Sequence, residues 1–369
     1  MIKVLLTSDF HLGAEEKGMP VSDPVKIGTF RKICALARDH NLLLIAGDLF
    51  HRHAISKREL ELVAGEFRLL RDKGVEIFYT PGEKDRGDDG ALPGWLEQTN
   101  LTHAFTAREP DEPRIYEHSS GKIYIYGMAA GAGADGVPRR VEAPGFHIGL
   151  FHAEFVPENG PEDSGLFTIT KKNLKLMNLD FYALGHRHNF KIFKSGNRII
   201  AAYPGSPEAV THDETGDRYA LSIMIDNNEI QQIKRLAVNT LRVSARTVLC
   251  DETGNLSQLT DVLEKEKSPS TVFTLTLRGR RSFPIAAGAL DGHAGDFHSL
   301  TIVDESHPTL ETLAEEFFGE NSLRGEFYRF LRERLEREGL PDTVDRDTLE
   351  KILNSITRHG RYEPEEWAC

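Results

Sequence analysis

The chain has 369 residues, of which 39% are hydrophobic and 28% charged, and its formal net charge is −12. That length holds two or three domains with ample core, and the acidic balance excludes nucleic-acid binding over the whole surface while leaving local basic contacts open. Residues 1–10 form no secretory signal, no apolar run reaches membrane-spanning length, and Cys34, Cys250 and Cys369 are too scattered for a disulfide framework, so a cytoplasmic protein with free thiols and no membrane partner is expected.

In chain order, Ile2 to Ser8 reads as a strand and ends in Asp9-Phe10-His11. Residues 24–40 then place Ile27, Phe30, Ile33, Cys34 and Ala37 on one helical face. The run Leu42 to Ala46 ends in Gly47-Asp48, followed by Leu49-Phe50-His51. The next helix opens on a capping box, Ser56 with Glu59, buries Leu60, Val63, Phe67 and Leu70, and stops at Gly74. Val75 to Tyr79 leads into Gly82-Glu83-Lys84-Asp85, Phe146 to Phe151 into His152, and Phe181 to Leu184 into Gly185-His186-Arg187-His188. Between them, Gly127 to Gly136 lacks the Gly-Lys-Ser/Thr ending of a nucleotide loop and reads as a flexible connection. Phe190 to Lys194 and Arg198 to Tyr203 flank a Ser-Gly-Asn turn as a hairpin, and Tyr219 to Ile225 and Glu229 to Leu236 add strands.

The pattern changes near residue 240. Residues 241–306 read as a strand, a helix from Leu256 to Lys265, a second strand from Val272 to Leu277, and a loop bearing Gly and His. Beyond Pro308 the chain reads as helical. Leu323 to Glu338 is expected to bury Phe327, Phe330, Leu331 and Leu335, and Leu349 to Ile356 repeats the apolar spacing. The expected division is therefore an α/β domain over 1–240, a small α+β cap over 241–306 and a helical segment over 307–369. Short basic clusters occur at Arg139-Arg140, Lys171-Lys172-Lys175, Lys191 with Lys194, and Arg278-Arg280-Arg281. The last follows an alternating strand and is the best placed of them to touch a phosphate backbone.

Each of the five polar tips directly follows a strand. Sites in open α/β sheets form where the carboxyl ends of strands meet, so these tips are expected to converge. Their order and spacing resemble the calcineurin-like metallophosphoesterases. More narrowly, Gly47-Asp48-Leu49-Phe50-His51 and Tyr203-Pro204-Gly205-Ser206-Pro207-Glu208 resemble the SbcD-like DNA repair nucleases, over about residues 1–240. The resemblance implies a β-sandwich flanked by helices and two divalent ions, with manganese favoured and iron or zinc also suited to mixed Asp and His ligation. It also implies a DNA exo- or endonuclease subunit that works with an SbcC-like coiled-coil ATPase and forms homodimers. By the same resemblance Asp48 bridges the ions, Asp9, His11 and His188 complete the first shell, and Glu83, His152 and His186 complete the second. His51 would contact substrate, and the ATPase would dock on the helices after the cap.

Two ions about 3.5–4 Å apart make hydrolysis of a charged phosphodiester feasible. One motif departs from the family pattern, because Glu83-Lys84 stands where Asn-His is usual. Glu83 can still ligate, but its full charge reduces the Lewis acidity of a bound ion. Lys84 supplies charge, yet an ordinary lysine pKa near 10.4, against about 6.5 for histidine, makes it a poor proton donor at neutral pH. Loss of matched acid catalysis typically costs about 10²–10⁴-fold. The leading expectation is thus a phosphodiesterase of attenuated or altered activity. The alternative is an impaired nuclease that serves as a metal- and DNA-binding scaffold for the ATPase. A phosphodiesterase for small substrates fits less well with the roughly 130 residues that follow the first domain. His147, His293, His298, His307 and His359 have no partner motif and read as structural, and His53 reads as a loop residue.

Overall fold

Two six-stranded sheets, built from the alternation of apolar runs with amphipathic helices, make up residues Met1–Arg242 of the computed structural model. The structure describes residues 1–14, 19–51, 55–85, 95–96, 98–107, 112–129, 136–156, 167–286, 288–340 and 345–359. His53 and most of the Gly/Ala-rich connection lie outside these residues.

The first sheet runs in the order β14 (Glu229–Ala237), β13 (Tyr219–Asp226), β1 (Ile2–Thr7), β2 (Leu42–Ala46), β3 (Glu76–Thr80) and β4 (His103–Ala104). In it β1, β2 and β3 are parallel, with Leu5 opposite Leu43 and Leu44 opposite Phe78. The second sheet runs β11 (Lys191–Ser195), β12 (Arg198–Tyr203), β10 (Phe181–Gly185), β7 (Phe146–His152), β6 (Gly121–Gly127) and β5 (Arg114–His118). There β7 and β10 are parallel and place Gly185 opposite His152. The expected hairpin is present as the antiparallel pair of β11 and β12. A short parallel pair, β8 (Glu154–Val156) and β9 (Thr168–Thr170), lies beyond β7.

Successive side chains point to opposite faces of a strand, so Val4 and Leu6 enter one core and Leu5 another. Val4, Leu6, Leu44, Ile148, Leu150, Phe181 and Ile223 fill one cluster shared by the two sheets. On the other face of the first sheet, Leu5, Leu43 and Ile45 meet Phe30 and Ile33 of α1 (Asp23–Ala37) and Phe67 of α2 (Lys57–Asp72). Burial on both faces explains why these strands read as continuous apolar runs. The capping box at Ser56 and Glu59 forms as expected, and Gly74 follows the end of α2 with φ +79°. Tyr126, Phe151, Tyr182 and Tyr203 form a third cluster on the second sheet, bordered by Leu174 of α3 (Lys171–Met177).

Residues Val243–Cys369 form the second unit. It contains a sheet of β15 (Arg242–Leu249), β16 (Ser268–Arg278) and β18 (Phe297–Asp304), covered by Leu259 and Leu263 of α4 (Leu256–Glu266). The stretch expected to be a loop contributes β18, parallel to β16. Its burial pattern is partial and irregular, which hides the alternation of a strand. Two short strands, β17 (Arg280–Arg281) and β19 (His307–Pro308), pair beside it.

Three helices follow, α5 (Leu310–Phe317), α6 (Leu323–Glu338) and α7 (Arg346–His359). Here the expected facing of α6 is corrected. Tyr328 is buried, with Leu331 and Leu335 packed against its cluster, whereas Phe327 and Phe330 are 46% and 61% exposed. Tyr328, Leu331 and Leu335 form the i, i+3, i+7 stripe, and the phenylalanines fall beside it. In the basic cluster at 278–281, Arg278 pairs with Glu305 and Arg280 with Glu350, and Arg281 is buried on Ser306 and Glu316.

Candidate metal centre

The loops after β1 and β2 are zipped together by backbone hydrogen bonds. The Asp9 N–H donates to Gly47 O at 2.9 Å, His11 N–H to Asp48 O at 2.9 Å, and His51 N–H to Leu12 O at 2.7 Å. In these loops Asp9, His11 and Asp48 stand at φ 55°, 49° and 47°, and beyond β10 His186 stands at 99°, a left-handed backbone that side-chain-bearing residues seldom adopt. Strain of this kind persists only where surrounding structure enforces it, and it clusters at functional sites. Glycine is obligatory at 185, because a Cβ there would lie 1.7 Å from the Ala46 carbonyl oxygen, where neither backbone can yield.

The five tips converge into groups of donors. Ligand atoms of Asp9, His11 and His188 lie within 4.8 Å of one another, and so do those of Glu83, His152 and His186 and those of Asp9, Asp48 and His152. Asp48 lies between the first two groups, with Oδ2 3.4 Å from His152 Nε2 and 3.9 Å from His11 Nε2. Its other oxygen accepts the Lys84 backbone N–H at 2.8 Å. Both Asp9 oxygens accept the His186 N–H, at 3.0 and 3.2 Å. Glu83 and Lys84 are exposed, and His51 is half-buried with its ring 6.3 Å from that of His11. His147 stands apart, stacked on Tyr124 and hydrogen-bonded with the Tyr126 hydroxyl, as a structural residue.

The donor chemistry fits divalent cations. His152 Nδ1 sits 3.0 Å from the Ala46 carbonyl oxygen, which makes Nδ1 the donor and turns Nε2 toward Asp48, buried and without a hydrogen-bond partner. His188 Nδ1 is likewise committed to Glu214 Oε1 at 2.7 Å, leaving Nε2 3.2 Å from His11 Nε2. Two imidazole nitrogens at that separation need a proton or a cation between them. Burial lowers His11 to about 4, so its ring is neutral at pH 7 and suited to ligation. Burial also opposes the charge on His152, but Asp48 and Asp9 outweigh it and raise the group to about 9. These acids favour the protonated ring, and a cation binding at Nε2 would displace that proton. We expect cation affinity to fall as pH drops below about 9. Titration calorimetry in buffers of different ionisation enthalpy should register proton release, and heats independent of the buffer would contradict the assignment.

Several supporting residues were not visible in the sequence. Glu214 is buried and holds the His188 ring while accepting from Ser206 Oγ at 2.9 Å and Val210 N–H at 3.0 Å. Burial alone would raise its pKa, yet His188, the Val210 N–H and the charge of Arg218 bring it down to about 2. Arg218 backs it, donating to Ser206 Oγ at 2.7 Å, to Asn189 Oδ1 at 2.9 Å and to the His188 carbonyl. A carboxylate behind a ligating histidine fixes its tautomer and ring plane, and losing one typically costs about 10–100-fold in metal affinity. Glu214→Ala is expected to weaken metal binding by that factor, read by competition with a fluorescent chelator, while Glu214→Asp retains most of it. Asp85 anchors the altered loop by accepting from Phe50 N–H at 2.7 Å and Gly82 N–H at 2.8 Å. Burial, followed by the nearby Asp48 charge, raises it to about 7. At the rim, Arg187 forms a two-point pair with Glu154, whose Oε2 lies 4.0 Å from His186 Nε2.

Comparison with known proteins places this arrangement. Across 385 aligned positions the chain is 25% identical to the uncharacterized metallophosphoesterase YhaO of Bacillus subtilis, covering 96% of this chain and 90% of that protein. It is 28% identical to the DNA double-strand break repair protein Mre11 of Methanopyrus kandleri over 57% of this chain, and 26% identical to that of Archaeoglobus fulgidus over 54%. In both cases the match spans 49% of the Mre11 protein, about half its length. No helix among the described residues is long and apolar enough to cross a membrane. Residues 2–190 match the calcineurin-like phosphoesterase model, and since that segment is half of the chain and carries all seven clustered donors, the chain belongs to the calcineurin-like phosphoesterase family, whose members bind divalent metals and hydrolyse phosphoester bonds.

Proposed function

We propose that the chain is a two-metal phosphodiesterase acting on DNA, an exo- or endonuclease subunit. The observation that carries this reading is the placement of Asp48 between two donor groups, with His152 Nε2 buried and turned toward it. When bound, a pair of divalent ions supplies positive charge to the phosphate and acidity to a water. The chain's own residues do the rest. Asp48 is shared, Asp9, His11 and His188 face one position, and Glu83, His152 and His186 face the other. His51, whose ring lies 6.3 Å from that of His11, and the exposed Lys84 would contact the phosphate. Mixed carboxylate and imidazole donors favour manganese over calcium or magnesium.

The Mre11 relatives support DNA as substrate. The exposed Leu323, Phe327 and Phe330 of α6 support docking of a coiled-coil ATPase by a helix-in-groove contact. Incubation with linear duplex DNA should give manganese-dependent shortening that chelation stops, and Phe327→Glu with Phe330→Glu should release a co-purifying ATPase without changing the melting temperature. Glu83-Lys84 favours a second reading, an impaired nuclease retained as a scaffold. That reading predicts metal and DNA binding with no cleavage.

A further inference from the structure

We infer that a basic groove at the end of the second sheet opposite the metal centre binds the phosphate backbone of nucleic acid, as a contact remote from the reacting phosphate. This rests on the phosphodiesterase reading for its substrate class but involves none of the metal-facing residues. The groove is a surface cavity of about 450 Å³ lined by Arg139, Arg140, Val141, Lys175, Leu176 and Asn178, with Glu142 and Ala143 completing it. In the basic cluster at 278–281 every cation has an acidic partner. Here Arg140 pairs with Asp180, but its basic neighbours do not. Among the described residues, the side chains of Arg139, Lys171, Lys172 and Lys175 meet no acid, in a chain whose net charge is −12.

The groove is rigid by construction. The Arg140 N–H donates to Met177 O at 3.2 Å, which stitches its two walls together. The Arg140 guanidinium reaches Asp180 at 2.9 Å and Asn178 O at 3.3 Å. Arg198 takes the other Asp180 oxygen at 2.9 Å, so that acid is fully committed. Beneath, the Val141 N–H donates to the Tyr126 hydroxyl at 3.0 Å, and the Ala143 carbonyl lies 3.1 Å from Nε2 of the buried His147. A fixed wall lowers the ordering cost of binding an extended anion.

Lys171 and Lys172 occupy the first turn of α3, which contains no acidic residue there. Cations near a helix N-terminus oppose the macrodipole. Helix stability therefore does not explain them, whereas a local positive field does. Lys171 and Lys175 are one turn apart and share a face.

The position separates this contact from catalysis. The groove walls precede Phe146 and Phe181, the first residues of β7 and β10, while His152 and His186 lie at the far ends of those parallel strands. Six strand steps put the two about 20 Å apart, or roughly six base pairs of duplex at about 3.4 Å each. Ligands shorter than that reach only one of the two.

The test is a salt titration by fluorescence anisotropy with the full chain and manganese present, using a phosphorothioate-protected duplex of about 20 base pairs in DNA and in RNA form. Removing three backbone-contacting cations should flatten the plot of log affinity against log salt by about 2.7, about 0.9 for each. Arg139→Gln/Lys171→Gln/Lys175→Gln is expected to do so with an unchanged melting temperature and metal content, and to bind a four-nucleotide ligand as wild type does. Should that variant melt early, Lys171→Gln/Lys175→Gln, both exposed, should flatten the slope by about 1.8. A change with one nucleic acid only would identify which sugar the surface prefers and still support the groove. Unchanged slopes with both, or a wild-type slope near zero, would overturn it. Hydrolysis of a chromogenic diester by wild-type protein is measured separately, so an unchanged slope alongside hydrolysis removes the groove and leaves the phosphodiesterase reading standing.

Discussion

Asp48→Ala is expected to abolish phosphodiester hydrolysis and to lower the bound metal from two ions to one or none. The carboxylate lies 3.4 Å from His152 Nε2 and 3.9 Å from His11 Nε2, one from each donor group. No other carboxylate among the described residues lies so close to both rings. A carboxylate shared by two cations would offset their mutual repulsion, so its loss is expected to act on both positions together. Forfeiting the several kcal/mol of charge stabilisation that such an ion pair provides amounts to a rate loss on the order of 10³-fold or more. Asp48→Asn is the sharper control. It keeps the size of the side chain and an oxygen for the Lys84 N–H, so a comparable loss would trace to charge rather than to loop collapse. Metal content by mass spectrometry after gel filtration provides the readout. Two ions retained at wild-type affinity in Asp48→Ala would mean that Asp48 does not bridge.

Turnover is expected to rise when Glu83→Asn is combined with Lys84→His. Both residues are exposed, and the bond from this loop to Asp48 comes from the Lys84 backbone, so the exchange leaves that anchor intact. Asp85, which fixes the loop to Phe50 and Gly82, is also untouched. A histidine can protonate a leaving oxygen near neutral pH, and a well-matched acid contributes about 10²–10⁴-fold. Even partial recovery should exceed about tenfold. The pH profile should also gain a limb near the ordinary histidine pKa of about 6.5. A fall in turnover would show that Glu83 and Lys84 act as an adapted pair and would remove the attenuated-enzyme reading.

The clustering of these Asp, Glu and His residues was legible because their motifs follow strand ends, and strand ends are marked by an abrupt switch from an apolar run to Asp, His or Gly. Leu42 to Ala46 followed by Gly47-Asp48 is the clearest case, since five buried residues give way to a charge. Glu214 and Arg218 were not legible. They lie in an irregular stretch between Pro207 and β13, and what defines them is the His188 ring, 26 residues earlier in the chain. The strand β18 was missed because its burial is partial and its alternation irregular. The facing of α6 was misjudged for a related reason. With Leu323, Phe327, Phe330, Leu331 and Leu335 spread over more than one face, only packing against Leu313 and Leu353 singles out Tyr328 as the buried residue.

The most direct measurement pairs metal content with hydrolysis in a single sample. Purified protein is stripped with chelator, reconstituted with manganese, analysed by mass spectrometry and then assayed with bis(p-nitrophenyl) phosphate. Two manganese ions per chain are expected, with hydrolysis that appears only as the second ion binds and is lost on renewed chelation. Two bound ions with no hydrolysis of the diester, or hydrolysis that the chelator leaves unchanged, would contradict the two-metal phosphodiesterase reading.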